Sequence, residues 1–248
     1  KRALGHNDSE VRFNAAEALA YMGEGDGIAI LKDAAESKPS FRWHAFAALA
    51  SLEGRQSAAA LTKLLGAEEP EIRYGAFRAI IQQNPEDPIV AGDWLANDFH
   101  LHQVETDASP LIHFSTKQRP EIVVFGKPPT ISSDFLYVES GLTIRSFDDE
   151  TLSLTAYSPD FEKEQRTCAN EVVDLIRTLA DLGYGYGHQA KILRTAEQDQ
   201  MLSGQIAINA TPKLDNRRRM ADSQATKKGK SAKTPTRVSG LMNLFQRK

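Results

Sequence analysis

Three histidines are the first candidates for chemistry. His100 and His102 stand two apart in an alternating stretch and so share one strand face. A hairpin running from Phe99–Glu105 through Thr106–Pro110 to Leu111–Thr116 would set His113 beside His102. Three imidazoles so placed could hold zinc or another borderline metal. The opposite face carries Phe99 and Leu101, and no acidic partner accompanies the histidines. The preferred reading is therefore a solvated sheet face, with no metal and no cofactor expected.

Other candidates read more plainly. Gly183-Tyr184-Gly185-Tyr186-Gly187 has the glycine density of a phosphate-cradling loop, but it follows a helical pattern instead of connecting a strand to a helix. A glycine cap and helix–helix turn explain it better. Cys168 is the only cysteine, which excludes an intrachain disulfide and a multi-cysteine metal site. The spacing of Cys168, Val172, Leu175, Ile176, Leu179 and Leu182 predicts one apolar helix stripe, where a buried thiol is poorly ionised and packs instead of reacting. Asp148-Asp149-Glu150 offers paired carboxylates but reads as a solvated turn between strands, and no catalytic residue is assigned.

Charge divides the chain. Lys213 to Lys248 holds 11 basic and 2 acidic side chains, leaving 19 basic against 31 acidic in the rest. An acidic body with a basic tail suggests that the tail meets something anionic, or the body itself. Arg217, Arg218, Arg219, Lys227, Lys228, Lys230 and Lys233 sit among small and polar residues and predict a disordered segment. Val238, Leu241, Met242 and Phe245 follow at helical spacing. With Leu241, Met242 and Phe245 as anchors, the tail is the expected partner-binding element, toward another protein or an anionic polymer or membrane surface. No aromatic residues interleave with the basic run, so nucleic-acid recognition would have charge alone behind it.

The elements that must carry these residues begin with a repeat. At intervals of 30 and 31 residues the chain places an apolar residue before arginine: Val11-Arg12, Phe41-Arg42, Ile72-Arg73. The same offsets bring Ala15, Ala45 and Ala76, then Leu19, Leu49 and Ile80. Each pair opens an alanine-rich helix, and glycines at Gly23–Gly27 and Gly54 separate it from a second one. The third repeat lacks its partner helix, because Asn84-Pro85-Glu86-Asp87-Pro88 forbids it. The recurring arginines are expected to form an internal ladder to carbonyls or acids of adjacent repeats, not a basic binding stripe. From Phe99 onward, six or seven short strands, a helix after Cys168, another over about His188–Met201 and a last strand at Gln205–Ala210 predict an α+β domain. A Ser-Gly turn between Phe135–Val138 and Leu142–Arg145 predicts a hairpin. No run approaches the roughly 18 apolar residues of a membrane helix. Because Lys1 opens almost directly on the first repeat, the chain is expected to be a processed product or a fragment.

The acidic or proline start, the apolar-Arg pair, the alanine-rich first helix and the glycine break resemble the short HEAT repeats shared with bilin-lyase-type proteins, over residues 4–88. Arg73–Ala79, Arg119–Gly126 and Arg177–Gly183 resemble stretches of HEAT-containing bacterial flagellar P-ring proteins, a likeness spanning about residues 70–212. The first resemblance implies an α-solenoid of helical hairpins followed here by the α+β domain and the disordered basic tail. The implied division is 1–90 repeats, 91–98 linker, 99–212 α+β domain and 213–248 tail. The second implies a structural ring component in the periplasm; without it the location is open, with the cytoplasm the default. The expected function is a non-enzymatic protein–protein interaction or assembly scaffold. The alternatives are a bilin-lyase-like maturation enzyme and a cytoplasmic adaptor.

Overall fold

A computed structural model describes residues 1–116, 119–139, 141–157 and 163–214. Two compact units divide the chain: Lys1–Asp87 with the described residues from Ala210 onward, and Pro88–Asn209.

The first unit is helical: α1 (Ser9–Tyr21), α2 (Ile28–Ser37), α3 (Pro39–Ser51), α4 (Arg55–Leu64) and α5 (Pro70–Gln83). Local chemistry sets their ends. The Asp8 carboxylate accepts from the Glu10 amide at the start of α1. Pro39 and Pro70 occupy first-turn positions where a missing N–H costs nothing. Gly23 and Gly54 take positive φ at the breaks. Alanines on α3 let the helices approach, and Phe13, Phe46, Leu49, Leu61, Ile72 and Phe77 are fully buried.

Arg42 and Arg73 are buried, and Arg12 is half-buried. Arg12 donates to the carbonyls of His6 and Asn7 at 2.7 and 2.9 Å. Arg42 donates from Nε to Ala35 at 2.8 Å and from Nη2 to Glu36 at 3.0 Å, and Arg73 donates to the Ala67 carbonyl. Arg42 thereby serves the last turn of α2, where carbonyls lack intrahelical partners and a cation suits the helix dipole.

The second unit holds two sheets and two helices among its described residues. Strands β1 (Gly92–Leu95), β2 (Phe99–Val104), β3 (Leu111–Ser115), β4 (Glu121–Phe125) and β9 (Gln205–Ile208) pair in the order β1-β2-β4-β3-β9. Strands β5 (Leu136–Glu139), β6 (Leu142–Ser146), β7 (Thr151–Tyr157) and β8 (Lys163–Ala169) form a four-stranded meander. Helices α6 (Val172–Asp181) and α7 (Tyr186–Gln198) share one apolar core with Leu101, Ile122 and Ile112 of the first sheet and Ile144, Leu152 and Leu154 of the second.

Three expectations are corrected here. The α-solenoid is the first. The described chain is a mixed α/β protein of seven α-helices and sheets of five and four strands. The stretch 91–98 contains strand β1. Second, β2 and β3 do not pair as a hairpin. Strand β4, buried at every residue, inserts between them, parallel to β2 and antiparallel to β3. The most apolar run takes the middle of the sheet, where both faces are covered. Third, Cys168 lies on β8, opposite Leu152, and not on the helix. Asn170 and Glu171 intervene before α6 begins.

Candidate functional site

Both faces of the histidine strand are occupied, which changes the site read first from the sequence. His113 is fully buried and His102 nearly so, not solvated as expected. His102 pairs in register with Val123, and so does His113, from the other side of β4. The two histidines therefore stand two strands apart, about 9–10 Å, far beyond the ~2 Å bonds zinc makes to imidazole. The His102 Nδ1 contacts the Val90 carbonyl at 2.9 Å, and the His100 ring stacks on it with centroids 5.7 Å apart. Burial lowers the His100 pKa, with His102 adding to the effect and Glu121 opposing it. Among the described residues no group of three or more His, Cys, Asp or Glu could hold a metal.

The other sequence candidates separate in the same way. Asp148 turns back on the Glu150 amide at 3.0 Å in an exposed bend. Gly183 caps α6 at φ +85, with the Tyr184 amide reaching the Leu179 carbonyl at 2.9 Å. Burial raises the Cys168 thiol, and its side chain packs beside the core. Arg217, Arg218, Arg219, Lys227, Lys228, Lys230, Lys233, Leu241, Met242 and Phe245 lie outside the described residues.

A cluster of polar and aromatic side chains lies where β5 meets α7. A cavity of about 240 Å³ is lined by Tyr137 and Glu139 of β5, Leu142 of β6, and Tyr184, His188, Lys191 and Ile192 from α7 and its approach. Tyr137 donates to Glu139 Oε2 at 2.5 Å, and Lys191 Nζ bonds Glu139 Oε1. The α7 end is held by Asp98, whose carboxylate accepts from the Tyr186 amide at 2.7 Å. A Cβ at Gly185 would sit 2.4 Å from Asp98 Oδ2, so a side chain there would displace that carboxylate.

Electrostatics fix the protonation states of this cluster. Lys191, followed by Tyr137, holds the Glu139 carboxyl below its ordinary range, and His188 adds a smaller push. Burial first, then the Glu139 bond, pushes the Tyr137 phenol far upward. Glu139 stays ionised and Tyr137 stays protonated near neutrality.

A pH prediction follows. The folded Glu139 pKa lies below its unfolded value, so its contribution to stability is present above the ordinary carboxylate range. It is lost as pH falls through the depressed folded value. Replacing Lys191 by methionine should move the Glu139 titration back toward the ordinary range, read by NMR of its carboxyl carbon. An unmoved titration would show that Lys191 is not the main cause.

The backbone beside this cavity is the second part of the site. The Ser146 amide donates to the Phe135 carbonyl. Alternation in an antiparallel pair then turns the Tyr137 and Glu139 backbone groups toward β6, and those of Leu136 and Val138 away from it. Leu136 and Val138 are also 61% and 68% exposed on the outer sheet face. The other edges are guarded. Strand β8 carries Lys163, Glu164 and Arg166, with Arg166 bonding Glu164 at 2.6 Å. On β9 the Ile206 amide is taken by Glu197 at 2.8 Å. On β1, Asp93 pairs with Arg177 at 3.0 Å. Strand β5 carries the Glu139–Lys191 pair on its inner face, while its outer face presents Leu136 and Val138.

Sequence reasoning found the β5–β6 hairpin but missed Leu136, Val138, Lys191 and the cavity. One signal was present: β5 reads Leu-Tyr-Val before Glu139, apolar on both faces, while β8, the other edge of the same sheet, opens on Lys163, Glu164 and Arg166. Compared with known protein families, curated proteins and solved structures, the chain matches none. What the site does must therefore be argued from its own residues.

Proposed function

We propose that this protein is a non-enzymatic assembly scaffold that receives an extended segment of another polypeptide along β5. One observation carries the reading: the edge strand β5 presents exposed Leu136 and Val138 with their backbone groups turned away from β6, whereas on the β9 edge the Ile206 amide is taken by Glu197. Strand addition takes affinity from such main-chain groups and specificity from side-chain pockets beside them. The cavity between β5 and α7 lies on the alternate side of the strand, where every second residue of an added strand would point. Lys191, Glu139 and His188 furnish its polar wall, and Tyr137 and Tyr184 its aromatic one. No helix among the described residues is long and apolar enough to cross a membrane.

Amide hydrogen exchange on the full chain tests this. With a synthetic peptide of alternating threonine and valine added, the Leu136 and Val138 amides should gain protection while those of β8 do not. Protection spread equally over all sheet edges, or none on β5, would contradict the reading.

A further inference from the structure

The β5 edge is self-complementary, and we propose that its occupant is the β5 strand of a second copy of this chain. This rests on the reading of β5 as a docking edge. When two such edges meet antiparallel about a two-fold axis, Leu136 of one copy can stand opposite Val138 of the other. Each such pair exchanges both of its backbone hydrogen bonds, using the groups that β6 leaves free. On the outer face, exposed Leu136 then packs beside exposed Val138 of the second copy, covering apolar surface that each copy alone leaves in water.

The same register agrees with the remaining side chains. Tyr137 falls on the axis as a non-hydrogen-bonded pair, with Cα atoms about 4.5 Å apart. Each Tyr137 hydroxyl is held back by its own Glu139. Glu139, the ionised group of the strand, falls opposite Phe135, so no carboxylate faces another across the axis, and its charge is balanced by Lys191 within its own copy. A one-residue slip would instead set the inward-facing backbone groups of one strand against the outward-facing groups of the other and lose the hydrogen bonds. The two four-stranded meanders become one continuous eight-stranded sheet. A four-residue edge makes an interface at the small end of specific contacts, below about 1,200 Å², so micromolar dissociation is expected.

Sedimentation equilibrium of the purified full chain tests the proposal. The wild type should dimerise in the micromolar range. Val138→Pro removes an amide that the β5–β6 ladder does not use, and Leu136→Lys places a charge opposite Val138 of the second copy. Each should weaken the dimer at least ~10-fold, while Gln165→Lys on β8 leaves it unchanged. Circular dichroism of both variants should match wild type, so that loss of the dimer is not loss of fold. A wild type that stays monomeric throughout the micromolar range overturns the proposal, and so does a dimer indifferent to both variants. A monomer whose Leu136 and Val138 amides are nonetheless protected by the threonine–valine peptide overturns self-pairing alone and leaves the docking edge standing. A monomer with no such protection overturns both.

Discussion

Replacing Arg42 by alanine should lower the stability of the helical unit by about 3 kcal/mol, the upper range for buried hydrogen bonds to a charged group. Arg42 is 6% exposed and spans three partners: the Ala35 and Glu36 carbonyls and the Glu71 carboxylate, the last at 3.3 Å. Alanine leaves the Ala35 and Glu36 carbonyls without the guanidinium bonds that satisfy the last turn of α2, and removes the cation from the helix C-terminus. The side chain also leaves a void between α2 and α3 that its stem had filled. Lysine keeps the charge but has no planar fork, so Arg42→Lys should recover less than half of the loss. Urea unfolding followed by far-ultraviolet circular dichroism measures both. A change within about 0.5 kcal/mol, as at an ordinary surface position, would show that the arginine is not structural.

The second large effect goes against helix propensity. Gly75 lies inside α5, where alanine is intrinsically better by about 1 kcal/mol. A Cβ at Gly75 would lie 2.4 Å from Phe46 Cε2, 2.7 Å from Cδ2 and 2.9 Å from Pro212 Cγ. The Phe46 ring is fully buried and cannot swing aside without displacing the α3–α5 packing. Overpacking of this kind costs ~1–3 kcal/mol, so Gly75→Ala should destabilise by about 1 kcal/mol net, and Gly75→Val by more. The same urea experiment decides it. A stabilised Gly75→Ala would mean that α3 and α5 do not approach as closely as described.

What could be read from the sequence follows the range of the forces involved. The helices of the first unit are set by local spacing, by Pro39 and Pro70 at their starts and by glycine at their breaks, and these are visible in any short window. The arginine period was visible too, and the expected ladder matches Arg42 and Arg73, which bond carbonyls of the preceding repeat, while Arg12 bonds only His6 and Asn7 just ahead of its own helix. The solenoid was read from that period for residues 1–90, with an α+β domain after it; the described chain is instead a mixed α/β protein of seven α-helices and sheets of five and four strands. Cys168 fits a helical stripe numerically, and nothing in the alternation of β8 marks it as a strand residue; its pairing with Leu152 decides the matter.

The site was less legible, for a physical reason. Whether a strand lies at an edge depends on partners far away in sequence: β4 comes between β2 and β3, and β5 ends its sheet because nothing described pairs beyond it. The histidines illustrate the same point. Their spacing was correct for one face, but the insertion of β4 set His102 and His113 on opposite sides of Val123. Glu139 and Lys191 are 52 positions apart and meet only because α7 returns to β5.

Site-specific photo-crosslinking in cells producing the full chain tests most directly whether β5 is where this protein docks others. A benzophenone side chain in place of Val138 should give discrete adducts, while the same group in place of Glu164 on the charged edge gives none. An adduct of two chain masses would mark a second copy, and any other discrete mass a different protein. Identical adduct patterns from both positions, or none from 138, would contradict the account.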